Sequence, residues 1–263
     1  MKTSVISLAI AAGTCVVGML SSCSEKRWQA EGTVTGAEGK ELILEAPNNF
    51  GQWYPLDTVE IDSKGSFKVR QFPAGHPEIY RLTLGKESVY FPIDSIETVT
   101  ITADASRFSN GYKLAGSPSA DKMQQINELI CKVVDSQGEQ AVAYDPALKR
   151  ALAELILSDP SGIVAYYTIF RRVGDTPLFN PQDKADLKMI GAVANAFTSK
   201  RPDDPRTGYL SQLYLSNRRS NGISAATDTI VANEISLPEI KLLDRDGKER
   251  SLTEEASKGN VTI

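Results

Sequence analysis

The spacing of apolar residues changes at Gly116-Ser117-Pro118, and this change constrains the fold more than any other feature of the sequence. From Trp28 to about Leu114, short runs of apolar and β-branched residues alternate with polar ones and are separated by Gly, Pro, Asn and Asp. This pattern is typical of half-buried strands. It predicts an antiparallel β-sandwich of about seven or eight strands over residues 28–116.

One hairpin is predicted more clearly than the others, between Val59 and Val69. Its loop contains Asp62 and Gly65, residue types that tolerate the dihedral angles of tight turns. We therefore expect the two flanking strands to pair with each other.

Residues 117–219 show the three- and four-residue spacing of helices that bury one face. Five helices are predicted, and we expect their starts at Ser117-Pro118, at Asp145-Pro146, at Asp159 or Ser161, at Asn180-Pro181 and at Arg206. An N-cap residue followed by proline is a common helix start. The expected class is therefore α+β, with a helical region after the sheet region.

The last part of the chain returns to a strand pattern. Residues 220–234 are small and polar and are predicted to be a linker. Residues 235–263 then contain a strand, a tight turn at Asp246-Gly247, a polar strand ending at Leu252, and the first residues of a buried strand at Val261. We interpret residues 235–263 as the opening of a further domain that the sequence does not complete.

The N-terminus has the features of a secretory signal peptide, which we place at residues 1–22, with a tether at residues 23–27. Lys2 is positive, residues 5–17 are apolar or small, and the apolar run is too short to span a bilayer. Leu20-Ser21-Ser22-Cys23 resembles the lipobox of bacterial lipoproteins, in which the cysteine becomes the lipidated first residue. This resemblance predicts membrane attachment through lipid on Cys23; an ordinary secretory signal with Cys23 as a free thiol is the alternative.

Composition limits the chemistry that the chain can perform. The formal net charge is −4, so the chain has no basic excess with which to bind nucleic acid. Besides Cys15 in the leader and Cys23, the chain has a single cysteine, Cys131, and its single histidine is His76. A cysteine pair, a cysteine zinc site or a multi-histidine site cannot be built from these residues, so we expect no metal, no cofactor and no catalytic residue.

Four further features concern single residues or pairs of neighbouring residues. Cys131 lies between apolar residues of the first predicted helix and is expected to be buried, with a reactive thiol as the alternative. His76 is expected on a surface turn, and Asp203-Asp204 on a solvated turn. Trp53 and Tyr54 are candidate binding residues in an expected loop, where they could contact a sugar or a protein, or else pack at the end of a strand.

A second resemblance involves the C-terminal pattern. Pro238, Ile240, Leu242, Asp244, Asp246-Gly247-Lys248 and Ser251-Leu252, followed by Lys258-Gly259 and Val261, resemble the start of thioredoxin-like, peroxiredoxin-related oxidoreductases. Asn260 departs from the family pattern, which has a lysine there. In that family the next strand leads to a Trp-Cys-x-x-Cys site, and the sequence reaches Ile263 before such a motif.

The upstream residues resemble the N-terminal region of Bacteroidota-type lipoprotein thiol–disulfide oxidoreductases. The shared features are the lipobox, the strand start Ala30-Glu31-Gly32-Thr33-Val34 and the step Leu114-Ala115-Gly116-Ser117. The resemblance implies an accessory region without redox residues, attached to the outer membrane, facing the periplasm or exposed at the surface. Protein disulfides or envelope components would be its partners. The alternative is a non-enzymatic envelope lipoprotein that binds a glycan or a protein.

Overall fold

A computed structural model describes residues 26–48, 51–220, 241–243 and 249–251 of the chain. The described part is mixed α+β, with β-sheets in its N-terminal region followed by five α-helices. Among the described residues, eight strands precede the first α-helix, in agreement with the seven or eight predicted. They are β1 (Trp28–Thr35), β2 (Glu41–Pro47), β3 (Trp53–Glu60), β4 (Ser66–Gln71), β5 (Glu78–Leu84), β6 (Glu87–Ile93), β7 (Thr98–Asp104) and β8 (Lys113–Ala115).

These strands form two four-stranded sheets, one in the order β4-β1-β7-β8 and the other in the order β3-β2-β5-β6. The second sheet is antiparallel throughout. The first is mixed, because β1 pairs in parallel with β7, with Gly32 opposite Ile101. The expectation of a purely antiparallel arrangement is therefore wrong. Parallel neighbouring strands need a long crossover connection, which here consists of residues 36–97. The alternation of apolar residues along a strand does not indicate whether such a crossover is present.

The predicted hairpin between Val59 and Val69 is also wrong, although its turn is present. Asp62 accepts hydrogen bonds from the backbone N–H groups of Lys64 and Ser66, and Gly65 has a φ of 77°. The strands on either side of the turn belong to different sheets, because β3 pairs with β2 and β4 pairs with β1. The residues of the turn specify that the chain reverses direction locally. The strand with which β4 pairs depends instead on which sheet buries its Phe67 and Val69 side chains.

The five helices are α1 (Pro118–Gln137), α2 (Pro146–Ser158), α3 (Ile163–Phe170), α4 (Lys184–Lys200) and α5 (Thr207–Ser220). Ser117 and Asp145 cap α1 and α2 as predicted. A small two-stranded sheet, β9 (Arg172–Val173) and β10 (Thr176–Pro177), separates α3 from α4 and was not predicted.

Two helix starts differ from prediction. Gly162 is the N-cap of α3 and has no side chain with which to cap the helix, while the Ser161 hydroxyl donates to Asp159. At α4, the side chain of Asp183 caps the N–H groups of Ala185 and Asp186, so the helix begins after Asp183 rather than at Asn180-Pro181.

One cluster of buried apolar residues runs through both sheets and the helices. Contacts between the sheet region and the helices include the rings of Tyr90 on β6 and Tyr167 on α3, whose centroids are 5.9 Å apart. Gln124 of α1 also accepts a hydrogen bond from the backbone of Leu114 on β8. Within the described residues, no helix combines the length and the apolar character needed to cross a bilayer.

Near the C-terminus, β11 (Lys241–Leu243) pairs antiparallel with β12 (Glu249–Ser251). Leu243 lies opposite Glu249, which agrees with a predicted reversal near Asp246-Gly247. The predicted linker and the remaining residues of the 235–263 segment lie outside the described residues.

Candidate functional site

A cavity of 1080 Å³ lies where the N-terminal end of β3 meets α3 and the start of α5. Strand β3 is at the edge of its sheet, and among the described residues it pairs only with β2. Most of its side chains are exposed. The cavity wall is rich in aromatic side chains, with rings from Trp53, Tyr54, Phe72, Tyr80, Tyr166, Tyr167, Phe170 and Tyr209.

The two predicted binding residues, Trp53 and Tyr54, both line this cavity but differ in availability. They lie in strand β3 rather than in the expected loop, and successive residues of a strand face opposite sides. Trp53 is half-buried: its ring packs edge-on against Tyr90, with centroids 5.6 Å apart, and Arg81 lies 4.6 Å from its centroid. Tyr54 is 45% exposed. Tyr54 is therefore the freer of the two to contact a ligand.

A second exposed aromatic faces the cavity from the helical region. Tyr209 on α5 is 55% exposed, and its ring lies 5.8 Å from that of Phe170 on α3. Phe170 in turn contacts Tyr166 at 5.0 Å. Deeper in the wall, burial raises the pKa of Tyr80 to about 12, so its hydroxyl stays protonated at neutral pH. The aromatic wall thus combines exposed rings with buried ones.

One end of the cavity is polar and is built around Arg206. Its Nε and Nη2 donate to the two carboxylate oxygens of Asp204, each at 2.8 Å, and its Nη1 donates to Glu78 Oε1 at 3.1 Å. Nη2 also lies 3.3 Å from Nδ1 of His76 and donates to the carbonyl of Pro77 at 2.5 Å. The cluster joins β5 to the start of α5 across 128 positions of sequence.

The charges in this cluster are unequal, with two carboxylates facing one guanidinium. Burial of Asp204 opposes ionisation, yet the hydrogen bonds and charge of Arg206 hold the pKa of Asp204 below its usual value. Burial outweighs the same guanidinium at Glu78, whose pKa is raised. Asp204 is therefore the closer partner of Arg206, and the charge of the Glu78 carboxylate is less fully neutralised by this guanidinium.

Several sequence expectations can now be compared with the structure. Asp203 is exposed on a turn as expected, whereas Asp204 is buried and paired with Arg206, so the expectation is wrong for Asp204. His76 does lie between strands, but it is half-buried against the Arg206 cluster. Cys23 lies outside the described residues.

Cys131 is exposed, so the expectation that it is buried is wrong. The buried face of α1 contains Met123, Ile126, Ile130 and Val133. Each helical residue turns the side chain by about 100°, which places Cys131 beside this face and not on it. Apolar neighbours in sequence were a poor guide because adjacent helical residues do not share a face.

Sequence reasoning missed Glu78, Arg206 and Tyr209. Arg206 marked the start of a helix, and nothing near it in sequence indicates that Glu78 is its partner. Within the described residues, no group of three or more His, Cys, Asp or Glu side chains is arranged to hold a metal ion. The arrangement is suited to holding a ligand by aromatic contact and charge.

Comparison with protein families gives one match. Residues 30–123 match the family described as Domain of unknown function (DUF4369). The matched segment begins in β1, includes all strands to β8 and ends in the second turn of α1. Comparison with curated proteins finds no match.

Proposed function

We propose that this chain is the membrane-anchored, non-catalytic binding region of a thioredoxin-like thiol–disulfide oxidoreductase. The observation that carries the binding role is the aromatic cavity at the end of β3, whose lining includes the exposed side chains of Tyr54 and Tyr209. Aromatic clefts with a few placed polar groups are the usual form of binding sites in proteins. The region would hold a protein substrate near the redox domain.

The finer architecture belongs to the same proposal. We propose that the two sheets of residues 28–116 pack face to face as a β-sandwich. Trp28 on β1 supports this arrangement, because its ring lies 4.5 Å from that of Tyr80 and 6.0 Å from that of Phe91, both on the other sheet. Sandwich cores are built from such contacts between inner faces.

Support for the oxidoreductase part comes from the C-terminal pattern around Asp246-Gly247-Lys248 and from the antiparallel pairing of β11 with β12. In the family that this pattern resembles, a thiolate of Cys-x-x-Cys attacks substrate disulfides through a mixed disulfide. The reading frame after the codon for Ile263 tests this part: we expect it to encode Trp-Cys-x-x-Cys, and a stop codon there would contradict it.

Redox activity gives a second test. The chain itself should not reduce insulin disulfides, because it offers no cysteine pair. Insulin reduction that persists in a Cys131→Ser variant would overturn the non-catalytic assignment.

Membrane attachment through Cys23 is tested by mass spectrometry of the N-terminus and by membrane fractionation. We expect the protein expressed in a lipoprotein-processing bacterium to begin at an acylated Cys23 and to stay with membranes, since more than one acyl chain anchors stably. Cys23→Ala should release the protein from membranes. Membrane association that survives this substitution would contradict the anchor.

Binding is tested with a reduced, carboxymethylated protein, which is an unfolded polypeptide without free thiols. We expect the chain to bind it at micromolar concentrations, and Tyr54→Ala or Tyr209→Ala to weaken binding by about tenfold. Tyr144→Ala is the control, because Tyr144 is exposed but lies outside the cavity lining. Equal binding by all variants would contradict the assignment of the cavity as the binding site.

A second candidate is an envelope lipoprotein that binds a glycan without any attached redox domain. The exposure of Tyr54 favours it, because an exposed ring can stack on a sugar. The contact between Arg81 and the Trp53 ring argues against Trp53 as a second stacking platform. Glycan binding that is lost in Tyr54→Ala, combined with no binding of unfolded protein, would favour this candidate.

A further inference from the structure

The polar end of the cavity indicates which kind of polypeptide it accepts. Glu78 Oε1 accepts two hydrogen bonds, one from the backbone N–H of Ile79 at 2.8 Å and one from Arg206 at 3.1 Å. Glu78 Oε2 accepts no hydrogen bond from the described residues, and Nδ1 of His76 lies 3.8 Å from it. One carboxylate oxygen therefore remains available at the cavity wall.

The charge balance of the cluster is negative. Arg206 is held by both oxygens of Asp204, so its single positive charge is shared between two carboxylates. A cationic group arriving in the cavity would find a half-buried carboxylate that lacks full compensation. Interactions between opposite charges are stronger where burial lowers the local dielectric.

Exposed apolar side chains of β3 lie beside this carboxylate in the same cavity. Tyr54 and Leu56 line the cavity and are both exposed. Because β2 lies between β3 and β5 in the sheet, a ligand that reaches Glu78 enters through the cavity and does not pair along the outer edge of β3.

We propose that the cavity accepts a polypeptide segment that places a lysine or arginine at Glu78, between apolar side chains that contact Tyr54 and Tyr209. This inference rests on the proposed binding function and names its ligand class. The cavity volume of 1080 Å³ is large enough for several side chains of such a segment.

The test uses the full chain and three fluorescein-labelled peptides, Ser-Val-Tyr-Val-Lys-Val-Leu-Ser and versions with Gln or Glu in place of Lys. Fluorescence anisotropy should show that the Lys peptide binds about tenfold more tightly than the Gln peptide, and that the Glu peptide binds most weakly. Glu78→Gln should remove the preference for Lys. The amide of this variant keeps an acceptor for Ile79 and Arg206, so the fold should be retained and can be checked by thermal unfolding.

Glu60→Gln is the matched control. It removes the same charge from the far end of β3, where the side chain is exposed and does not line the cavity. This variant should keep the full preference for the Lys peptide.

The outcomes separate this inference from the function on which it rests. Binding of all three peptides with equal affinity, or a preference that survives in Glu78→Gln, would overturn the inference and leave the binding function in place. Failure of every peptide and of the carboxymethylated protein would overturn both the inference and the proposed function.

Discussion

Gly32 shows how strongly one residue can be constrained by the parallel pairing of β1 with β7. A Cβ atom at this position would lie 1.7 Å from the carbonyl oxygen of Ile101. The backbone of Ile101 cannot move aside to relieve this clash as a flexible side chain could. Gly32→Ala should therefore lower the free energy of unfolding by about 3 kcal/mol in urea denaturation. Thr33→Ala, at an exposed position of the same strand, should cost less than about 1 kcal/mol; similar losses for both variants would contradict the close approach.

Glu45 on β2 is the residue from which we expect a measurable pH dependence. It accepts hydrogen bonds from Arg81 at 2.7 and 3.0 Å and from Thr83 at 2.5 Å. The bonds from Arg81 lower the pKa of Glu45 in the folded chain, although partial burial opposes this effect. The stabilisation is therefore present above the ordinary pKa of 4.5 and is lost as the pH falls through the lower folded value.

Glu45→Gln should accordingly cost about 1–2 kcal/mol at pH 7 and less at low pH. Unfolding midpoints measured across the acidic range should fall less steeply in this variant than in the wild type. Glu41→Gln, at an exposed position of the same strand, is the control and should follow the wild-type curve. A Glu45→Gln curve parallel to the wild type would contradict the argument.

At the scale of elements, the packing of α4 against α5 depends on a glycine inside a helix. A Cβ atom at Gly191 would lie 2.4 Å from a ring carbon of Tyr214, which is buried on α5. Alanine normally gains about 1 kcal/mol over glycine in a helix, but overpacking costs about 1–3 kcal/mol. We expect Gly191→Ala to destabilise the protein by about 1 kcal/mol.

Gly208 offers a matched control within α5. No heavy atom lies within 4 Å of a Cβ atom built there, so Gly208→Ala should gain helix propensity without a clash. The two substitutions should shift the thermal midpoint in opposite directions. A stabilising effect of both would show that Tyr214 moves aside freely.

At the scale of the whole molecule, the sheet region and the helical region share one apolar cluster and the Arg206 contacts. We expect them to unfold together. Both tryptophans, Trp28 and Trp53, report on the sheet region, whereas circular dichroism is dominated by the helices. The two signals should give coincident transitions.

Arg206→Met is the variant that probes this coupling. It leaves the buried carboxylate of Asp204 without its partner, and breaking such a pair costs about 3 kcal/mol or more. Both signals should shift to the same lower midpoint. A shift of the helical signal alone would show that the two regions unfold independently.

The sequence predicted the local features of this protein well. The number of strands, the caps at Ser117 and Asp145, and the turn at Asp62 and Gly65 depend on hydrogen bonds and side-chain periodicity within a few residues. Such interactions are readable from neighbours in the chain. Trp53 and Tyr54 could be named as candidates for the same reason, because two adjacent aromatics stand out locally.

Only the tertiary structure decided which strands pair, which helix positions are buried and which side chains meet in the cavity. The parallel pairing of β1 with β7 and the exposure of Cys131 both contradicted local expectation. Glu78 and Arg206 are 128 positions apart, and their contact exists because the start of α5 lies against the beginning of β5. Contacts of this kind arise from the packing of whole elements around a shared core, and no local pattern of residues encodes them.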